Sequence, residues 1–218
     1  VDELVGIGAD SLPRFLERWY GSPSGGHDPA SVLASGRLPT PLLRWYDLRA
    51  MWSLPWRRHN EMIPADDLEL DDGMFVFWVE NQAVTLWGYP PRSADPQVHE
   101  RYNEEGEPWR PTGEPLSRFL VFIEVMEALM APQFGALSLA MEPGDVRRVI
   151  RGTRLLEGPL WRLPGGQAGC DVRAGADTLV MLLPGDAPGT SSVYLAVRTE
   201  SMLADFDFGW DWHSSDDQ

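Results

Sequence analysis

The sequence predicts a folded protein that mixes helices with antiparallel strands around one buried hairpin, and three observations predict it. The stretch from Gly73 to Gly88, GMFVFWVENQAVTLWG, holds two apolar runs, Met74 to Val79 and Ala83 to Trp87, separated by Glu80, Asn81 and Gln82. Both runs are rich in β-branched and aromatic residues, so they read as central strands buried on both faces. The polar trio turns the chain at little steric cost, since Asn tolerates left-handed backbone. Apolar residues at helical spacing recur before and after this hairpin, and 43% hydrophobic content with ten Trp supplies material for a core. A chain of 218 residues buries about 70% of its unfolded surface, so that core is sizeable.

The elements follow in order. Asp10 and Ser11 stand before Leu12, Pro13, Phe15, Leu16, Trp19 and Tyr20, a helix with a polar cap and an early Pro that Gly21 ends. From Ser22 to Gly36 the chain is Gly-, Ser- and Pro-punctuated loop, with His27 a solvated loop residue. Leu38, Pro39, Pro41, Leu42, Trp45, Tyr46 and Leu48 make a second helix with Pro in its first turn. Trp56 to Pro64 reads as a connection into the acidic run Asp66, Asp67, Glu69, Asp71 and Asp72, a solvated turn before the hairpin. After the hairpin, Asp95, Pro96, Gln97 and Val98 turn into a short strand, and Glu104, Glu105 and Glu107 precede Trp109. A helix over Leu116 to Met130 follows, with Ser117 placed to cap it and Leu116 to staple against Val121. At roughly 1.5–3 kcal/mol per large side chain buried, this helix is a main source of stability.

Beyond Pro132 the elements shorten. Ala136 to Met141 alternates like a strand, Asp145 to Ile150 suits a helical turn, and Gly158 to Gly169 is connection. Leu179 to Leu183 and Val193 to Arg198 read as strands, and Glu200 to Leu203 as a short helix. In the tail, Phe206, Phe208, Trp210 and Trp212 alternate with Asp205, Asp207, Gly209 and Asp211, the pattern of an edge strand with one buried side. No repeat or linker divides residues 1–218 decisively, so a single domain is expected, with turn-rich sequence near Pro132 as a boundary between two lobes.

Charge narrows the function. Thirty-three acids against eighteen bases give a net charge of −15, a field that opposes nucleic acid and anionic membrane and favours a basic partner. The bland reading of the acidity is solubility. All the bases are Arg, which suggests an AT-poor bacterial genome. No apolar run approaches the length of a membrane span, and the start VDELVGIGAD lacks a basic region followed by an apolar one, so a cytoplasmic location is expected. The one cysteine, Cys170, fits a reducing compartment and an inert packed thiol.

The order LPTPLLRWY, NEMIP, FVFWVENQAVTLWG, DPQV, then a Trp before LSRFL and its apolar helix, resembles the SUKH superfamily, which contains bacterial immunity proteins and yeast cell-wall assembly regulators. The resemblance covers Leu38 to Met130 well and Leu179 to Leu203 in outline, and the family pattern falls on Pro39, Tyr46, Pro64, Phe77, Glu80, Asn81, Gln82, Trp87, Asp95, Pro96 and Trp109. It implies an α+β fold with a central, largely antiparallel sheet flanked by helices, and no enzyme activity. In most bacterial members it implies neutralisation of a polymorphic toxin, often a nuclease or deaminase, by direct binding. The region from Gly135 to Gly175 and the tail from Asp205 to Gln218 depart from the shared pattern.

The residues themselves carry little catalytic signal. Glu80, between a buried strand and a turn, fits either a general base with a raised pKa or a turn carboxylate holding backbone N–H groups. No nucleophile stands near it in sequence, which favours the turn. His27, His59, His99, His213 and Cys170 form no zinc spacing, and no metal or cofactor is expected. The pairs Gly25 with Gly26 and Gly165 with Gly166 match no nucleotide-binding frame, and a chain without Lys has no Walker lysine. No G-x-S-x-G elbow supports a hydrolytic triad.

Two readings from different classes remain. One is an immunity protein that covers a basic toxin domain, with Asp66, Asp67, Glu69, Asp71 and Asp72, or Glu104, Glu105 and Glu107, as candidate contacts; the plain alternative for each cluster is a solvated loop. The other is a cytoplasmic adaptor or scaffold that docks through its acidic surface or through the Asp205 to His213 strand, which otherwise packs on its own core.

Overall fold

The computed structural model describes residues 1–23, 38–55, 58–158, 161 and 170–206. His27, the Gly25–Gly26 and Gly165–Gly166 pairs and nearly all of the Gly158 to Gly169 connection lie outside the described residues, as does the tail beyond Phe206. The fold is α+β, with six α-helices and two antiparallel sheets among the described residues. The single central sheet that the sequence suggested is therefore two. The chain forms two compact units: Ile7–Ile123, and Glu124–Gln218 together with Val1–Gly6.

The first unit contains the hairpin. Helices α2 (Ser11–Tyr20) and α3 (Thr40–Met51) precede it. Asp10 is at the N-cap of α2 without a side-chain capping bond; the Ser11 hydroxyl instead accepts from Gly8 N–H at 2.9 Å. Strands β3 (Met74–Val79) and β4 (Thr85–Tyr89) pair antiparallel at the centre of a sheet of order β1-β3-β4-β5-β6, with β1 at Glu61–Met62, β5 at Gln97–Tyr102 and β6 at Arg110–Pro115. Strand β4 is buried at every residue, whereas β3 is only half-buried along most of its length. A bulge lies between Val76 and Trp78. Such an extra residue turns consecutive side chains to one face, and both Phe77 and Trp78 pack against Phe119.

The core here is aromatic. Trp78 lies 4.2 Å from Trp87 between ring centroids, Trp45 meets Phe77 edge-on at 6.4 Å, and Phe119 and Phe122 close the cluster from the helix side. Edge-to-face and offset rings satisfy the aromatic quadrupoles while burying large areas.

The acidic run is more ordered than a solvated turn. Ala65–Asp67 is a 3-10 turn, and Leu70–Asp71 is a strand, β2, paired with Phe75 and Met74. Asp72 and Gly73 close that small hairpin at φ 46° and 82°. A two-residue loop with both φ values positive matches the right-handed strand twist, and Asp-Gly is a favoured sequence for it. In the larger hairpin the left-handed residue is Ala83, at φ 57°, not Asn81.

Helix α4 (Leu116–Met130) starts and ends where expected, but its cap differs. Ser117 lies within the helix, and the carboxylate of Asp95 accepts from both its N–H (2.9 Å) and its hydroxyl (2.7 Å). The Leu116 N–H goes to the Pro96 carbonyl at 2.8 Å. Leu116 is itself helical, so the expected staple has no residue outside the helix to make it. From Phe119 to Leu129 every residue is buried, including Glu124 and Glu127.

In the second unit the sheet order is β7-β11-β10-β9-β8. Its strands are β7 (Phe134–Met141), β8 (Arg154–Leu155), β9 (Asp171–Ala174), β10 (Thr178–Pro184) and β11 (Ser191–Val197). Helices α5 (Pro143–Val149) and α6 (Glu200–Leu203) pack on β11. The core joins Ala136, Met141, Val180, Val193 and Leu195 with Val149 of α5 and Met202 and Leu203 of α6. Helix α1 (Asp2–Val5) also belongs to this unit. The tail departs from the alternating strand where it begins: Asp205 and Phe206 sit in a 3-10 turn, Ala204–Phe206, whose Phe206 packs on this core. Strands β1, β2, β6, β8 and β9 were not anticipated. Four of them are two to four residues long, too short to show a period, and β6 begins Arg-Pro-Thr-Gly and ends in Pro, residues that punctuate rather than extend.

No helix among the described residues is long and apolar enough to cross a membrane.

Candidate partner-binding surface

The turn between β3 and β4 is built around Glu80. Its carboxylate accepts from the N–H groups of Gln82 (2.9 Å) and Val84 (3.2 Å), and its carbonyl accepts from Ala83 N–H at 2.7 Å. A carboxylate that accepts from two backbone N–H groups of its own turn holds it as an Asx-type cap does. This is the turn-carboxylate arrangement among the two that the sequence left open. Asn81 N–H donates to the side-chain oxygen of Asn60 at 3.0 Å, fixing the turn to the residue just before β1. On the other side Asn103, after β5, donates from its backbone to Val84 O (2.8 Å) and from its amide to Ala83 O (3.0 Å).

The opposite face of the sheet carries a second construction. Because Trp87 points to the aromatic core, its neighbour Gly88 points away from it, as do the residues paired with Gly88 and Leu86, namely His99 and Arg101. The Trp109 ring lies across Gly88: a Cβ there would meet Trp109 Cη2 at 3.0 Å, Met74 Cβ at 3.0 Å and Phe75 O at 3.1 Å. The Arg101 guanidinium stacks on Trp109, 4.8 Å from the ring centroid, and forms an ion pair with Asp71. Thus Asp71 of the first acidic run is tied to Arg101 and Trp109, which flank the second run in sequence.

The other candidate acids remain at the surface. Asp66, Asp67, Glu69 and Asp72 are exposed around Leu70, which is itself 58% exposed. Glu104 and Glu105 are exposed in the β5–β6 loop, and Glu107 pairs with Arg110 at 2.9 Å. The Arg110 guanidinium in turn lies 6.0 Å from the Tyr102 ring centroid.

The residues of the family-like pattern fall at places that hold the fold. Phe77 and Trp87 are core. Pro39 is buried at the N-cap of α3, and Tyr46 is buried with its hydroxyl donating to Ile63 O at 2.8 Å. Pro64 caps the 3-10 turn, Glu80, Asn81 and Gln82 form the hairpin turn, Asp95 and Pro96 start α4, and Trp109 covers Gly88. Burial holds the Tyr46 hydroxyl far above the usual phenol range, with Tyr89 adding and Arg49 opposing, and burial pushes Tyr89 up to about 12. Burial lowers His59, partly offset by the nearby Glu80 carboxylate.

Among the described residues no three His, Cys, Asp or Glu side chains converge as a metal site. Cys170 is half-buried. Sequence reading missed Arg101, Tyr102, Val84 and Leu70, whose roles arise from strand register and carry no local signal. Comparison of the chain with protein families, with curated proteins and with solved structures finds no match.

Proposed function

We propose that this chain is a non-enzymatic, SUKH-like immunity protein that neutralises a basic toxin domain of nuclease or deaminase type by direct binding in the bacterial cytoplasm. The observation that carries the reading is electrostatic and spatial together. A chain of net charge −15 exposes most of both acidic runs beside one sheet, in the unit that holds the whole family-like pattern. A nuclease surface that grips phosphate is basic, and a strongly acidic inhibitor reaches such a surface quickly through long-range attraction. Affinity then comes from a few desolvated anchors and not from the charge itself. Support also comes from Glu80, whose carboxylate is engaged by the backbone of its own turn, a structural use that needs no reaction.

A pull-down with the purified chain against toxin domains encoded beside its gene, titrated with salt, tests the reading. The expected result is tight capture of a basic domain, with association that slows steeply as salt rises. Capture of no neighbouring toxin domain, with other proteins recovered from a cytosolic extract, would overturn it in favour of an adaptor.

A further inference from the structure

Resting on that reading, we infer that the tip of the β3–β4 hairpin, with the end of β5, is the docking centre for the basic partner, with Tyr102 and Val84 as its apolar anchors. Val84 is 49% exposed and Tyr102 39% exposed, and both lie at one end of the same sheet, where Asn103 ties the end of β5 to the turn. Few large hydrophobic side chains among the described residues are this open.

The tip is stiff as well as exposed. Six hydrogen bonds, from Gln82, Val84 and Ala83 to Glu80, from Asn81 to Asn60 and two from Asn103, pin five consecutive residues of the turn from both sides. A turn so pinned presents Val84 with little ordering cost left for binding. Tyr102 is likewise oriented, with Arg110 against its ring and Glu107 holding Arg110. Tyrosine and arginine dominate binding hot spots because each combines a large rigid surface with a polar tip.

Charge complementarity selects the occupant. Glu104 and Glu105 stand exposed beside Tyr102 in the β5–β6 loop, so the apolar pair has a negative rim that suits a protein surface where an apolar residue is flanked by Lys or Arg. The Asp66 to Asp72 run differs: one of its acids is committed to Arg101, and beside its open Leu70 the run holds no aromatic side chain to serve as a rigid anchor, whereas the tip has Tyr102. That run steers, and the tip anchors.

The test measures binding of the full chain to the basic toxin domain encoded beside its gene, by surface plasmon resonance at several salt concentrations. The variant Val84→Ser with Tyr102→Ala is expected to raise the dissociation rate about 30-fold or more. Glu104→Gln with Glu105→Gln is expected to slow association and flatten its salt dependence. The comparison variant Leu70→Ser with Asp66→Asn is expected to leave dissociation unchanged. Circular dichroism spectra and melting curves matching wild type exclude misfolding; since the replaced side chains are half-exposed, that match is expected. If the tip variant misfolds, Val84→Arg alone serves, as its side chain extends into solvent and blocks the tip. Dissociation unchanged in the tip variants but accelerated in the Leu70 variant overturns the placement while leaving the immunity reading intact. A wild-type chain that binds no such domain overturns both.

Discussion

Gly88 offers the sharpest check on the architecture around the candidate surface. It is buried on the central strand, and its backbone lies outside the left-handed region, so alanine there meets no conformational strain. The cost is purely one of space. The added methyl would sit 3.0 Å from Met74 Cβ, 3.0 Å from Trp109 Cη2 and 3.1 Å from Phe75 O, each several tenths of an ångström inside ordinary contact. The carbonyl belongs to the neighbouring strand and moves only with the ladder, while the indole is held by Arg101 on its face. Overpacking of this kind costs about 1–3 kcal/mol, against a gain of about 0.4–1 kcal/mol from restricting the unfolded chain. Gly88→Ala is therefore expected to destabilise by about 1–2 kcal/mol. Urea denaturation followed by circular dichroism should show a lower midpoint at unchanged slope. Adding Trp109→Leu should recover part of the loss, because it frees one of the three contacts, giving a coupling of about 0.5 kcal/mol or more. A Gly88→Ala protein as stable as wild type, or strictly additive effects of the two changes, would refute the placement of Trp109 across the sheet.

Other positions give independent checks. Trp87→Ala, which empties the space beside Trp78 and Phe119, is expected to cost about 3–5 kcal/mol in chemical denaturation; a loss well under one would place the ring in solvent. Asp95→Ala removes the acceptor for both donors of Ser117 and should cost about 0.5–2 kcal/mol, whereas Ser117→Ala, which keeps the N–H bond, should cost less; the reverse order in melting temperature would contradict the cap. Tyr46→Phe leaves the carbonyl of half-buried Ile63 without its donor, for a loss of about 0.5–1.5 kcal/mol near neutrality. The same variant bears on alkaline stability. Burial raises the folded pKa of Tyr46 and takes Tyr89 to about 12, above the ordinary value of 10.0. The unfolded chain therefore releases protons above pH 10.0 that the native chain retains, and stability falls as pH rises from there. Tyr46→Phe should show a shallower loss than wild type between pH 10.0 and about 12; an identical slope would argue against the burial of that hydroxyl.

Most long elements were legible because each carries its own period or punctuation. The apolar spacing of α2, α3 and α4 and the paired runs of β3 and β4 stand in stretches of five residues or more. The Asp72-Gly73 hairpin was legible in principle, since Asp-Gly is a turn signature, yet the surrounding carboxylates masked the two-residue strand Leu70–Asp71. Strand β6 was hidden by its two prolines and its glycine. The division into two sheets had only one local mark, the turn-rich sequence near Pro132: whether β7 joins the hairpin sheet or begins its own depends on pairings between strands far apart in the chain, such as β7 with β11.

The candidate surface divides along the same line. Which residues are acidic, which runs are apolar and where the hairpin turns are properties of neighbours along the chain and can be read from them. Neighbours do not show that Asp95 caps a helix beginning some twenty residues later, that Asp71 pairs with Arg101, or that Val84 and Tyr102 are held at one end of a sheet. A side chain's partner across a sheet depends on register, and a shift of one residue sends it to the other face. Only the tertiary structure decides that, because register is chosen by the burial of every strand at once.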